Sequence, residues 1–424
     1  MNKKLVTILI CLGLSFTVSV KAEDYNSEIN RLNQLVVGLQ RTAFDKPNSW
    51  IHQERLAKVL LERARLSGKV QHYMEAQSVI NHAFELAEGK GGPVLTRAAI
   101  NFSMHRLPDI EADLVAAESA ILVDKQTALR IVGLRADVLF NTGDYLKAKA
   151  LYDQIEDAER SSISAVKLAF YYGSTADYSA AESWFEKAEE RAPRKAFQLQ
   201  SWLKLQQGIL DLGRGRWHDA LEHYEQALVL FPGHWLVEEH IAEIELLLGN
   251  TESAESKYRD LIQRTDSPIF MEALAGILQS NDNVKDQDEA DILLARANDE
   301  FQTTMEFAPE LISGHALEFF LQAGNNALAL SLAQDNYRLR PAGGAAIALA
   351  QALALQGQLP KAITLIEGVL DTPFRNAELH ATAHVLYRAL GQTDEATQQK
   401  ELAIGLSPAA IDEVDWLHIK LEQG

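Results

Sequence analysis

Cysteine is nearly absent from this sequence, with Cys11 the only one in 424 residues. The rest of the chain has no cysteine, so it cannot form a disulfide, bind zinc through thiolates or use a cysteine nucleophile. A chain without thiols suits an oxidising compartment. Basic residues are also scarce, since 40 lysines and arginines face 59 acids and leave a formal charge of −19. Such a surface repels phosphate backbones and anionic headgroups, so we predict no nucleic-acid partner and no binding to lipid surfaces.

The first 22 residues have the form of an export signal. Lys3 and Lys4 precede an apolar run of about 16 residues, which is shorter than the roughly 20 that span a bilayer. Val20-Lys21-Ala22 places small residues at the two positions that a signal peptidase reads. We therefore predict cleavage after Ala22, no membrane insertion afterwards and a periplasmic location. A secreted protein, or one tethered by an uncleaved signal, is the alternative. Loss of the three lysines would take the formal charge to −22.

The stretch 201–234 contains two helical patterns joined by a short turn. Gly208 lies inside the first pattern, Gly215 opens the turn, and Pro232 stands where the second helix must end. The residues that define one face of the second helix recur at spacings of three, four and three: Trp217, Ala220, Tyr224 and Ala227. Small residues at Gly208 and Ala220 would let the two helices approach closely.

The same pattern recurs along most of the chain, and the prolines mark its period. Seven of them are separated by 39, 36, 41, 32, 32 and 35 residues: Pro193, Pro232, Pro268, Pro309, Pro341, Pro373 and Pro408. No long stretch alternates apolar and polar residues, so no sheet is predicted. Two irregularities stand out: Ala176 occupies a position where other units have the turn glycine, and Asn281–Asp288 is a polar insertion that we expect to form an exposed loop.

These residues resemble the tetratricopeptide repeat, an antiparallel helix pair of about 34 residues. The resemblance covers roughly Trp50 to Pro408, with weak matches in the second and seventh units. It implies an all-α solenoid, a right-handed superhelix of about ten helix pairs, in which each pair packs only on its neighbours. The predicted domains are a signal peptide (1–22), an N-terminal capping helix and linker (23–47), the repeat array (48–408) and a C-terminal capping helix (409–424).

Two groups of histidines deserve comparison with metal sites. His380 and His384 are four residues apart on one helical face, but the glutamate of a metalloprotease motif is missing, so we predict that His384 is a partly buried core residue. The junction 217–240 contains four histidines: His218, His223, His234 and His240. We predict solvated histidines there, and a metal-dependent hydrolase as the less favoured reading. No catalytic residue, metal ligand or cofactor is predicted.

What remains is a binding surface. The resemblance implies that the first helices of successive pairs line a concave groove that binds protein segments. Helical spacing assigns ten residues to it: Arg130, Asp137, Phe140, Lys167, Phe170, Trp202, Leu205, Ile209, Glu239 and Glu243. Trp202 and Phe170 are either exposed in the groove or packed between repeats. We predict a non-catalytic scaffold that binds a protein or peptide, with the negative charge favouring a basic one. A structural subunit that assembles through its ends is the alternative.

Overall fold

A computed structural model describes residues 24–87, 91–120, 123–281 and 283–423. The predicted signal peptide lies outside these ranges. Across them the chain is helical, and the one β-type contact is an isolated bridge between Thr175 and Arg375. None of the helices described in these ranges is both long and apolar enough to cross a membrane.

The chain begins with α1 (Tyr25–Asp45) and ends with α22 (Ala410–Gln423). Between them lie ten helix pairs, so the predicted number is confirmed. Pairs one to five are α2 (Trp50–Ser67) with α3 (Val70–Leu86), α4 (Val94–Ser103) with α5 (Ile110–Glu118), α6 (Lys125–Asn141) with α7 (Tyr145–Glu159), α8 (Ser162–Ser174) with α9 (Tyr178–Arg191), and α10 (Phe197–Leu212) with α11 (Trp217–Leu230). Pairs six to ten are α12 (Trp235–Leu247) with α13 (Thr251–Thr265), α14 (Pro268–Leu278) with α15 (Val284–Phe307), α16 (Pro309–Gln322) with α17 (Asn326–Leu339), α18 (Gly343–Leu355) with α19 (Leu359–Leu370), and α20 (Ala377–Ala389) with α21 (Thr393–Leu406).

Small side chains set the distance between the two helices of a pair. A Cβ atom added to Gly208 would lie only 2.3 Å from the Tyr224 ring of the facing helix. The second helices carry an alanine at the equivalent contact in nine pairs, each at most 4% exposed: Ala76, Ala148, Ala181, Ala220, Ala254, Ala290, Ala329, Ala362 and Ala396. The register predicted from the repeat is therefore confirmed, and the fold is an all-α solenoid.

The turn inside a pair requires a left-handed backbone. Seven pairs meet this requirement with glycine at φ between +66° and +86°: Gly68, Gly143, Gly215, Gly249, Gly324, Gly357 and Gly391. Pair four has Ala176 at φ +59° instead. Its Cβ makes this conformation unfavourable, by about 1–2 kcal/mol, whereas glycine adopts it freely.

We therefore expect Ala176→Gly to stabilise the protein. The relief of left-handed strain should exceed the entropy that glycine loses on folding, for a net gain of about 0.5–1 kcal/mol. Urea unfolding measures the change. The matched control is Ala180→Gly, in the first turn of α9, which should destabilise by a similar amount because its backbone is helical. A lower unfolding midpoint for Ala176→Gly would contradict the prediction.

The polar insertion in pair seven is mostly helix, so the predicted exposed loop is wrong. The second helix, α15, begins at Val284 and runs for 24 residues. Asn283 caps it, because its side-chain oxygen accepts a hydrogen bond from the Asp286 amide at 2.9 Å. The physical reason is that polar residues on an exposed first turn are compatible with a helix once a cap is present. Most of the inserted residues therefore extend the start of α15, and fewer of them lengthen the preceding turn.

Distant pairs also contact one another, which the prediction of neighbour-only packing missed. The Tyr25 amide donates to the Pro232 carbonyl at 2.9 Å, and the Trp235 indole N–H donates to the Leu66 carbonyl at 3.0 Å. Further along, the Arg375 amide donates to Ser174 at 2.8 Å. The solenoid therefore returns onto itself after about 200 residues, since two other such contacts join residues 198 and 204 apart.

The clearest of these contacts joins pair three to pair nine. The Tyr145 hydroxyl accepts a hydrogen bond from the Gly343 amide at 2.9 Å, and the Tyr145 ring stacks on Phe374 with centroids 5.7 Å apart. Gly143 lies against the backbone of Pro341, where an added Cβ would be 2.8 Å from the carbonyl oxygen. Tyr145 also forms part of the wall of a cavity of about 770 Å³. The turn of pair three is thus fixed to the other half of the chain.

The last helix does more than cover the end of the array. α22 packs on α20 and α21 of pair ten and also on α18 of pair nine. Its Lys420 ammonium donates to the Leu321 carbonyl at the end of α16. Since α16, α18 and α20 are the first helices of consecutive pairs, α22 lies across the side of the solenoid that first helices form.

Candidate interaction face

The predicted aromatic anchors belong to the core. Phe140 and Trp202 are 7% and 5% exposed, and Leu205 is fully buried, so their assignment to an exposed groove is wrong. Phe140 packs edge-on against Tyr145 at 5.4 Å, and Phe170, which is half-buried, meets the edge of Trp202 at 5.9 Å. The physical reason is that large apolar groups at these positions fill the space between neighbouring pairs.

The predicted charged residues of pairs three and four form an internal ion pair. Lys167 donates to both carboxylate oxygens of Asp137 at 2.6 Å, and the Tyr152 hydroxyl donates to the same carboxylate at 3.0 Å. These groups link two pairs and have little capacity left for a ligand. Of the other candidates, Arg130 is exposed and Ile209 is half-buried against the core.

Glu239 and Glu243 lie together with His240 on α12. The His240 Nδ1 atom is 3.2 Å from a Glu239 oxygen and 3.4 Å from a Glu243 oxygen. His240 is 1% exposed, and its ring stacks on Tyr224 with centroids 5.2 Å apart. The prediction of a solvated histidine is therefore wrong at this position. The ring fills the gap between α11 and α12 while its Nδ1 atom faces two carboxylates.

More carboxylates face the same interior from other pairs. Burial, and then the negative charges of Glu378 and Glu243, raise the pKa of Glu413 to about 7. These residues belong to α22, α20 and α12, so carboxylates from two first helices four pairs apart both act on the last helix. Glu378 accepts a hydrogen bond from the Gln351 side chain at 3.1 Å.

A second carboxylate pair lies on α14 and α16. Burial, together with the charge of Glu318, raises the pKa of Glu272 to about 8. Sequence reasoning missed both residues, although the register contains them: Glu272 is as far from the start of its helix as Glu239, and Glu318 precedes its turn glycine as Glu243 does. We call Glu243, Glu272, Glu318, Glu378 and Glu413 the acidic inner face.

The remaining histidines have separate environments. His380 bonds the Gln399 side chain at 2.6 Å and His384 bonds the Ala396 carbonyl at 2.8 Å, which confirms His384 as a partly buried core residue. His218 is exposed, and His234 stacks on the Tyr25 ring. The four histidines of the junction therefore do not form one site. In the described ranges, the group of potential ligands that does come together is Glu239, His240 and Glu243.

The geometry so far defines a class, an α-solenoid of stacked helix pairs with interacting carboxylates on its first helices and on α22. Residues 205–268 match the sequence model of the tetratricopeptide repeat family, and this segment covers most of pairs five and six. Over this segment the chain is similar to that family. The fold is thus that of a repeat scaffold for protein interactions, a family that is in general non-catalytic. No curated protein matches the sequence.

Several solved structures are similar in fold. A human IFIT1 dimer, solved with m7Gppp-AAAA, is 17% identical with a TM-score of 0.39 and covers 92% of this chain and 97% of its own. The Cut9–Hcn1 hetero-tetramer of the APC/C is 15% identical with a TM-score of 0.41, covering 90% and 74%. A tetratricopeptide repeat protein from Parabacteroides merdae is 18% identical with a TM-score of 0.35, covering 61% and 99%.

Proposed function

We propose that this protein is an exported, periplasmic scaffold whose acidic inner face holds a lysine- or arginine-rich segment of a partner protein. The observation that carries the proposal is the acidic inner face itself. Four first helices and α22 contribute these carboxylates, which interact in two groups, Glu272 with Glu318 and Glu413 with Glu378 and Glu243. The pKa of Glu272 is raised to about 8 and that of Glu413 to about 7. The export signal and the sparse cysteine support the location.

A cationic segment is the ligand that this arrangement favours. Within the described ranges, neither Glu272 nor Glu413 has a basic partner, and the groups that act on them electrostatically are other acids. Ionising Glu272 and Glu413 in a partly dehydrated space beside other acids costs free energy. An ammonium or guanidinium group from a partner would offset this cost. A positively charged ligand is therefore expected to bind favourably there, and a negatively charged one is not.

A binding measurement with defined peptides tests the proposal. Peptides of equal length, rich in lysine or in glutamate, are titrated into the mature chain at low and at high salt. We expect the lysine-rich peptide to bind, and to bind more weakly as salt rises. In Glu272→Gln/Glu413→Gln its dissociation constant should rise about tenfold, the equivalent of about 1.4 kcal/mol. The variant retains the size and shape of both side chains.

The matched control is Glu186→Gln/Glu190→Gln, on the exposed side of α9. It changes the net charge by the same amount without touching the acidic inner face. Equal weakening in both variants would show that only the overall charge matters. Unchanged affinity in Glu272→Gln/Glu413→Gln would exclude the acidic inner face as the binding site.

End-on assembly is the second candidate, and one observation favours it. On α1, Phe44 and Val37 are 84% and 59% exposed, although this helix covers an end of the array. Large apolar groups exposed next to each other often mark a protein contact. Phe44→Ser with Val37→Ser should abolish assembly if the end is the interface, and should leave peptide binding unchanged if the acidic inner face is. Sedimentation of the purified protein with its partner distinguishes the two.

A further inference from the structure

Glu239, His240 and Glu243 combine two carboxylates and one imidazole in a small, largely buried space. Their potential ligand atoms all lie within 4.8 Å of one another. Glu239 and Glu243 are one helical turn apart and therefore share a face of α12, while His240 is adjacent to the first of them. We propose that these three residues form a divalent-cation site of the zinc type, which goes beyond the proposed binding of a basic segment.

The distances between the ligand atoms, one of which is also a long hydrogen bond from His240 to Glu243, fit a bound cation. Charge-assisted N–H···O contacts are usually about 2.7–2.9 Å long. The His240 Nδ1 atom is instead 3.2 Å and 3.4 Å from the two carboxylate oxygens. Zinc bonds of about 2.0–2.2 Å to nitrogen and oxygen place tetrahedral ligands about 3.3–3.5 Å apart. Two of the ligand-to-ligand distances of such a site, from His240 to each carboxylate, are therefore already close to the required values.

Charge balance points the same way. Glu239 and Glu243 each carry a negative charge when ionised, and Glu243 is only 8% exposed. Without a bound cation, burial lowers the pKa of His240 but the two carboxylates raise it by more, so they favour its imidazolium form. Two carboxylates so close together are costly to bury unless a cation compensates them. A divalent cation bound by both carboxylates and a neutral imidazole gives a site with no net charge. Nitrogen and oxygen donors in this combination suit zinc and its first-row neighbours better than magnesium or calcium.

Packing holds the ligands in place before a cation arrives. The His240 ring is fixed between helices by stacking on Tyr224, 13° from parallel. Tyr224 is fully buried, and its hydroxyl has no hydrogen-bond partner within the described part of the chain. The charges of Glu243 and Glu239 act on this hydroxyl, which places it near the same cluster. A buried polar group left without a protein partner indicates that an ion or solvent molecule completes the site.

Three protein ligands leave one tetrahedral position open. Glu243, one of the three ligands, also belongs to the acidic inner face. Sites with three protein ligands and one open position accept water or a group from a bound molecule. The cation would then neutralise α12, while none of Glu272, Glu318, Glu378 and Glu413 is one of its ligands.

Zinc titration of the untagged mature chain, stripped with a chelator and without any peptide, tests the site. We expect one zinc ion to bind per chain, and cobalt in its place to give the visible absorption of a four-coordinate site. Glu239→Gln/Glu243→Gln keeps the shape of both side chains and should weaken zinc binding at least tenfold. Glu238→Gln/Glu245→Gln, on the same helix and with the same change in charge, should bind zinc as the unmodified chain does.

Two results would overturn the proposal: no zinc binding at micromolar concentrations, or equal binding by Glu239→Gln/Glu243→Gln and the unmodified chain. Circular dichroism confirms that each variant is folded. His240→Gln provides a third test, in which the cobalt spectrum should disappear. Since no peptide is present, failure here leaves the binding of a basic segment unaffected, and the reverse also holds.

Discussion

Tyr145→Ala should destabilise the protein by about 3–5 kcal/mol and loosen the contact between its two halves. The ring is 3% exposed, stacks on Phe374 and meets the Phe140 edge. Its removal would extend a cavity of about 770 Å³, which the surroundings cannot easily fill by collapse. The buried Gly343 amide would also lose its acceptor. The free energy of unfolding in urea gives the first effect, and the radius of gyration from small-angle scattering gives the second.

Tyr145→Phe separates the two contributions. It keeps the ring against Phe374 and removes only the hydroxyl, so we expect a loss of about 1–3 kcal/mol and an unchanged radius of gyration. If Tyr145→Ala costs less than 1 kcal/mol and leaves the scattering curve unchanged, the contact between pairs three and nine does not hold the halves together.

Glu272→Gln should stabilise the protein at pH 8.5 and have little effect at pH 4.5. The pKa of Glu272 is about 8 in the folded chain against an ordinary 4.5, so between these values the folded state holds a proton that the unfolded state has lost. Stability of the unmodified chain therefore falls as pH rises through this window. Glutamine cannot ionise and removes that loss. Each unit of pKa shift corresponds to about 1.4 kcal/mol, which partial exposure reduces, so the gain should be on the order of 2 kcal/mol.

Thermal or urea unfolding at a series of pH values checks this. Glu186→Gln, at an exposed position of α9, is the control and should run parallel to the unmodified chain at every pH. A Glu272→Gln variant that is less stable than the unmodified chain at pH 8.5 would mean that the ionised carboxylate has a partner in the fold. The gain in stability and the expected loss of peptide affinity in Glu272→Gln/Glu413→Gln have one cause, the uncompensated charge.

The sequence predicted what depends on local signals. Turn glycines such as Gly215, prolines such as Pro232 and the small packing residue Ala220 act within one pair, so their spacing was enough to place the helices. Helical spacing also assigns residues to a face, and that is how Glu239 and Glu243 were found. The same spacing applied to pairs seven and eight would have found Glu272 and Glu318.

The burial of individual side chains and the contacts between distant pairs cannot be predicted from helical spacing. Spacing gives the direction in which Trp202 points, but whether it is exposed depends on the neighbouring pair, which supplies Phe170 to cover it. The hydrogen bond between Tyr145 and Gly343 joins residues 198 apart. Such a contact produces no repeating pattern in either segment of the sequence. Asn281–Asp288 was misread because its polar composition suits both a loop and the exposed first turn of a capped helix.

The contacts between distant pairs also have a consequence for how the chain folds. A solenoid held together only by adjacent pairs has low contact order and can grow from any point along its length. Here the turns of pairs three and four must also meet pairs nine and ten, and closing a loop of about 200 residues costs chain entropy before these contacts form. The helix pairs should thus form early and the two halves should dock last. We expect that final step to set the rate at which the finished molecule appears, and to give this repeat protein the all-or-none unfolding of a globular one.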